Sequence, residues 1–286
     1  MKATLTIILA LVCASALAIF DDYEPSPRAR AMGGAYSAVG GEANTIFYNP
    51  AGLVELHNEA RIGYCRIFNS EYLMLKTAAF ASAMTPKLGV AAIGVQALDC
   101  DYMDENLESE KVYRLAHGFT LVNDVYTQLH VGWSANIYHL AIDSFGDDTA
   151  FGLDFGALAV LHQRTRIGFT VTNVNGPRMG ADNRFELPQR LSAGVAYEPY
   201  PGVLTTVELK KSFNTATESE DTITQIHSGV EVTLFERLAL RAGVRNNPAS
   251  YSMGMGLEVR GVLVDYAYNT HQVLGGTHHF GIGYTF

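Results

Sequence analysis

The stretch "AFGLDFGALAVL", Ala150–Leu161, decides the fold. Phe151, Leu153, Phe155, Ala157 and Ala159 fall on one side of an extended chain, and Gly152, Asp154 and Gly156 on the other. A repeat of two is the strand period, because successive side chains leave opposite faces. The same pattern recurs in "RLALRAGVRN", where Leu238, Leu240, Ala242 and Val244 oppose Ala239, Arg241, Gly243 and Arg245. In "YSMGMGLEVR", Tyr251, Met253, Met255, Leu257 and Val259 oppose Ser252, Gly254, Gly256, Glu258 and Arg260. A soluble sandwich hides such an apolar face in a core, whereas a membrane barrel turns it to lipid and keeps a polar lumen. The polar faces here are Gly and Ser with isolated charges: Asp154, Glu208, Glu231, Arg241, Glu258 and Asp265. Sparse charges among small residues suit a crowded lumen. A solvated sandwich face would carry denser Lys, Glu and Thr.

Outward from this stretch the same grammar predicts strands near 60–68, 72–84, 88–98, 112–122, 126–139, 149–162, 166–173, 188–198, 202–213, 223–234, 237–245, 251–260, 262–270 and 277–286. These are about fourteen, an even number as in bacterial outer-membrane barrels. The connections alternate in length. "TPK", "NDV", "QRT", "PYP", "FER" and "RG" are short. Between them fall "DCDYMDENLESEK", "AIDSFGDD", "VNGPRMGADNRFE", "NTATESEDT", "NNPAS" and "QVLGGT", mostly longer, and only "NSE" after the first strand breaks the rule. Short periplasmic turns and longer outer loops are the barrel pattern. The fold class predicted is all-β: a transmembrane antiparallel β-barrel over residues 59–286.

The ends of the chain read differently. Lys2, the apolar run Thr4–Ala14 and Ala16-Leu17-Ala18 have the form of a secretory signal peptide, predicted at 1–18 and removed after Ala18. At the other end, "HFGIGYTF" aligns Phe280, Ile282, Tyr284 and Phe286 on one face. Gly281, Tyr284 and the terminal Phe286 resemble the last-strand signal by which outer-membrane barrels are recognised for assembly. Residues 19–58 hold Pro25, Pro27, two Gly pairs and Asn49-Pro50-Ala51-Gly52, so long strands are not expected there. A fourteen-stranded barrel is too wide to be filled by its own side chains. Residues 19–58 are therefore predicted to fold into the lumen as a hatch, with Asn49 capping a turn or short helix.

Composition excludes more than it identifies. The chain has 286 residues and a net charge of −9, which argues against a nucleic-acid partner. After the first twenty residues no run of ~18 apolar residues suggests a membrane-spanning helix. Nine His are scattered, and the neighbours His278 and His279 must leave a strand on opposite faces. No converging metal ligands are apparent, and "DCDYMDE" lacks the Gly and terminal Glu of a calcium loop. No cofactor, metal or catalytic group is predicted, and the chain does not read as an enzyme. Loss of the signal peptide leaves Cys65 and Cys100, which could pair in an oxidising compartment, although spacing does not decide it.

"RAMGGAYSAVGGEANTIFYNPAGL", Arg30–Leu53, resembles the hatch sequence of the FadL-like outer-membrane barrel superfamily. The resemblance rests on Gly33-Gly34-Ala35, a run of small residues, and Asn49-Pro50-Ala51-Gly52-Leu53. That superfamily contains long-chain fatty-acid and aromatic-hydrocarbon transporters, and the PorV/PorQ family associated with type IX secretion. Its fatty-acid transporters build a hydrophobic groove from long outer loops. Here the longest loops have about thirteen residues and are acidic, which moves the expectation to the PorV/PorQ-like branch. What the resemblance implies is a barrel in the outer membrane of a diderm bacterium, meeting membrane lipid, barrel-assembly machinery and secreted proteins. The alternative it implies is passive transport of a hydrophobic ligand, with movement about Asn49–Gly52 opening the path. Asp154, Glu231, Arg241, Glu258 and Asp265 are expected to be lumen charges, and Glu231, Arg241, Glu258 and Asp265 to pair with one another or with Arg28 and Arg30 of the hatch.

Overall fold

Apolar side chains at every second position cannot be buried by a single sheet in water, but a sheet closed on itself can present them all outward. The computed structural model describes residues 20, 23–85, 87–103, 105–144, 146–180, 185–213 and 222–286, so the signal peptide expected at 1–18 lies outside the described residues. The wall comprises β1 (Asn58–Arg66), β2 (Leu73–Ala83), β3 (Val90–Tyr102), β4 (Glu105–Asn123), β5 (Thr127–Ile142), β6 (Gly146–Leu161) and β7 (Thr165–Thr172). It continues through β10 (Gln189–Tyr200), β11 (Val203–Phe213), β12 (Thr222–Leu234), β13 (Leu238–Arg245), β14 (Ser250–Val259), β15 (Val262–Asn269) and β16 (Thr277–Thr285). These fourteen strands form a closed antiparallel barrel in chain order, and β16 pairs with β1 to seal it, Ile62 opposite Ile282 and Gly63 opposite Gly281. Two further strands, β8 (Arg178–Met179) and β9 (Phe185–Glu186), make a separate small ribbon.

Each expected strand has its counterpart, and the alternation has the predicted sense. Trp133, Phe155, Phe169, Met255, Phe280, Ile282 and Tyr284 stand exposed on the outer face, while Ser134, Asp154, Thr170 and His279 are buried within. A continuous apolar exterior of this extent is not a soluble surface. Phe286 stacks on Phe80 and on Tyr284, an aromatic group at the short-turn end.

One of the two longest predicted loops, "DCDYMDENLESEK", is instead a hairpin. β3 runs on to Tyr102 and β4 starts at Glu105, with Leu98 opposite Glu110 and one irregularity after Cys100. The pairing of β5 with β6 likewise continues to Ile142 opposite Gly146. Beyond the apolar band both faces carry polar residues, so the alternation disappears from the sequence while the ladder continues. Cys65 and Cys100 are buried free thiols.

Inside the ring run residues 23–57. Helix α1 (Pro27–Ala31) starts at Ser26, whose side chain accepts from the Ala29 amide, with Pro27 at the first helical position. Two 3-10 helices follow, η1 (Ala43–Phe47) and η2 (Pro50–Glu55). α1 lies against β13–β16, and η2 against β3–β6 on the other side of the lumen.

The wall meets this segment with glycines. Gly118, Gly132 and Gly156 sit opposite one another on β4, β5 and β6. A Cβ on Gly118 would stand 2.6 Å from the Pro50 carbonyl oxygen, and one on Gly132 2.5 Å from the Pro50 carbonyl carbon. Across the lumen, Gly229 and Gly243 meet the backbone at Met32 and Gly33 in the same way.

Candidate functional site

The candidate site is the interface between the inner segment and the wall. Asn49 is fully buried and ties three elements together. Its Oδ1 accepts from the Ala51 amide at 3.1 Å and caps η2. Its Nδ2 donates to the Ser37 carbonyl at 2.6 Å and to the Ala157 carbonyl of β6 at 3.0 Å. Pro50 opens η2, where a missing N–H costs nothing. Gly52 lets residue 40 approach, since a Cβ there would stand 3.1 Å from the Gly40 Cα. Ala51 and Leu53 are fully buried. Gly33 and Gly34 both have positive φ, +69° and +83°. The Gly33 amide donates to Ser252 Oγ at 3.0 Å, and its carbonyl accepts from His227 Nδ1 at 2.6 Å.

Towards the short-turn end, three guanidiniums and four carboxylates interlock. Arg28 of α1 donates to both oxygens of Glu231, at 2.8 and 2.6 Å. Arg241 bridges Glu231 and Asp265. Arg61 reaches Asp265 at 2.7 Å, Glu42 of the inner segment at 3.2 Å, and Glu59. Charges this deep are tolerable only when paired and hydrogen-bonded, and here they join the inner segment to the wall. Glu231 raises the Arg28 guanidinium well above its ordinary value, against the opposing effect of burial. Burial pushes the Tyr36 phenol well above its own.

The other expected inward residues fall elsewhere. Asp154 belongs to a separate cluster, bound by Arg114 at 3.0 Å, Asn136 Nδ2 at 2.7 Å and the Asn173 amide at 2.9 Å. Glu258 departs from the expectation. It shares the lumen face but stands exposed at the rim, just before the turn at 260–261, where it lines an open cavity. Arg30 meets the Asn269 side chain and the Glu24 carbonyl rather than a wall carboxylate. Gly281 faces Pro27, and Tyr284 and Phe286 face outward. Glu208 is the anchor that the sequence reading left out of the pairing set, since its Oε2 accepts from the amides of Tyr36 and Ser37 at 2.8 and 2.7 Å. Its signal was the inward parity it shares with Lys210 and Ser212.

Cavities remain in the lumen among the described residues. One of about 350 Å³ opens at the short-turn end beside the ionic cluster, and one of about 240 Å³ at the loop end. Between inner segment and wall lies a small one of about 60 Å³, where Phe20, Tyr23, Phe47, Tyr48, Val112 and Tyr138 meet the charged Glu110, Arg114, Arg190, Glu208 and Lys210. It adjoins an apolar cluster of Phe20, Val112, Tyr138, Leu140, Ala150, Met179 and Leu187. Met179 and Leu187 belong to the connection after β7, which therefore caps this side of the barrel. The wall itself changes here. β6 pairs with β7 only from Phe155 inward, opposite Val171. Beyond that point the β6 edge is satisfied by the cap: Asn175 Oδ1 accepts from the Leu153 amide at 2.8 Å, and its Nδ2 donates to the Phe151 carbonyl at 2.7 Å. A side-chain amide replaces a strand. Among the described residues no group of three His, Cys, Asp or Glu gathers as for a metal.

No protein-family model matches the chain, and no curated protein matches it by sequence. Solved structures match its fold. The CymD monoaromatic hydrocarbon channel superposes with a TM-score of 0.64 at 16% identity, covering 91% of this chain and 97% of that one. The Pseudomonas putida toluene transporter TodX gives 0.64 at 13%, covering 93% and 98%. A Pseudomonas aeruginosa FadL homologue gives 0.62 at 11%, covering 94% and 99%. At such identities the shared property is the fold.

Proposed function

We propose that this chain is an outer-membrane channel for small hydrophobic molecules, exported by a cleaved signal peptide and shut by its N-terminal hatch. The observation that carries the proposal is the small cavity between hatch and wall, part aromatic and part charged, which adjoins the apolar cluster under the cap. At about 60 Å³ it is too small for an aromatic ring, since an apolar cavity that takes benzene measures roughly 150 Å³. The conformation described is therefore closed, and passage requires the hatch turn at Asn49–Gly52 to shift. The apolar exterior supports a place in lipid. The fold shared with channels named for toluene and monoaromatic hydrocarbons supports transport over catalysis.

The accessory role in protein secretion or surface attachment, as in a PorV/PorQ-like barrel, is the second reading. It is favoured by one observation: the hairpin tips at the loop end are short and carry Asp101, Glu105, Asp143 and Asp147, a surface for a protein rather than an apolar groove. Uptake by whole cells separates the two. Cells lacking endogenous hydrophobic-compound channels, expressing this chain, should accumulate radiolabelled toluene or oleate faster than vector controls. Uptake equal to the vector, with a recurrent exported protein co-purifying, would replace the first reading with the second.

A further inference from the structure

We infer that the loop-end cavity is a binding site for a small dissolved solute bearing one oxyanion group, a carboxylate or a phosphate. The inference does not rest on passage of hydrophobic molecules. The two ends of the lumen treat arginine differently. At the short-turn end Arg28, Arg61 and Arg241 each meet a carboxylate. The loop-end cavity of about 240 Å³ is lined by Arg30 and Arg245, and the carboxylate among its described lining residues is Glu24. That carboxylate already faces Lys210, at 3.5 Å.

Arg30 is more than nine-tenths buried, yet it touches only neutral oxygens, of Asn269 and the Glu24 carbonyl, and its Nε has no hydrogen-bond partner. Arg245, on the inward face of β13, makes no ion pair or hydrogen bond among the described residues, and its Nε is also buried without a partner. A desolvated guanidinium calls for a counter-ion, and its fork of N–H donors matches a carboxylate or phosphate. Neutral donors complete the lining: the hydroxyls of Ser250 and Ser252 and the amide of Gln225. These side chains face the lumen, so the ligand comes from solution rather than from a lipid headgroup.

The test is isothermal titration calorimetry on the full protein in a non-ionic detergent. Sodium phosphate and sodium acetate are titrated separately, with chloride at matched ionic strength as the reference. Saturable binding of either anion is expected. Arg245→Gln should weaken it at least tenfold and Arg245→Lys less, with heat-modifiable gel migration confirming that each variant is folded. Gln225→Glu, which adds a negative charge to the lining and leaves both arginines in place, should abolish binding and serves if Arg245→Gln does not fold. Heats indistinguishable from chloride for both anions, or an affinity unchanged in Arg245→Gln and Gln225→Glu, would overturn the assignment.

Discussion

Alanine at Gly132 tests whether the hatch is pressed against the wall. Its Cβ would lie 2.5 Å from the carbonyl carbon of Pro50 and 2.6 Å from the amide nitrogen of Ala51. Ordinary carbon contacts lie at about 3.5–4.0 Å, so a gap of roughly 1 Å must open. The wall cannot supply it, because Gly132 is held between Gly118 and Gly156 in the ladder. The hatch turn must retreat, and overpacking of this kind costs about 1–3 kcal/mol. At ~1.4 kcal/mol per factor of ten, the ratio of displaced to seated hatch rises roughly five- to 150-fold. Single-channel recording in planar bilayers reads this directly: Gly132→Ala should open far more often than the parent protein. Ala135→Val, on the lipid-facing side of the same strand, is the control and should stay closed. Equal open probability for Gly132→Ala and the parent would refute the close contact and, with it, the idea that the glycine belt seats the hatch.

Two further substitutions probe other contacts. Glu208→Gln removes the charge that receives the Tyr36 and Ser37 amides, so these hydrogen bonds should weaken by about 1–3 kcal/mol. Hydrogen exchange at residues 36–37 should then accelerate while exchange within β4 and β5 stays unchanged. Asn175→Ala removes the side-chain substitute for a strand on the β6 edge. It should raise exchange at the Leu153 amide selectively and, if the cap governs entry, increase toluene uptake; unchanged exchange would mean the edge is held by something else.

Much of this was legible in the residues. The period of two in Ala150–Leu161 fixes which side chains face the lumen, and the same parity placed Glu231, Arg241 and Asp265 on one inner surface. Parity says nothing about depth along the axis, which is why Glu258 looked like its neighbours and proved to be a rim residue. Nor does it say which inner residues meet across the lumen. Arg61 finds Asp265 because β1 closes on β16, and finds Glu42 because the hatch lies where it does; neither follows from local sequence. The hairpin at 99–111 was hidden for a different reason. Outside the apolar band there is no lipid to reject polar side chains, so the outward positions carry no mark.

The placement of α1 bears on how the molecule is built. Its residues, 27–31, leave the ribosome early, yet they rest on β13–β16, which leave it last. The seam between β1 and β16 joins segments more than 200 residues apart, at a large entropic cost of loop closure. An unfinished sheet thus offers the N-terminal segment no complete seat, and Arg28 not its two-pronged carboxylate partner, until Glu231 has been synthesised. The last strands therefore perform two acts of assembly at once: they complete the cylinder, and they lock in the segment that was translated first.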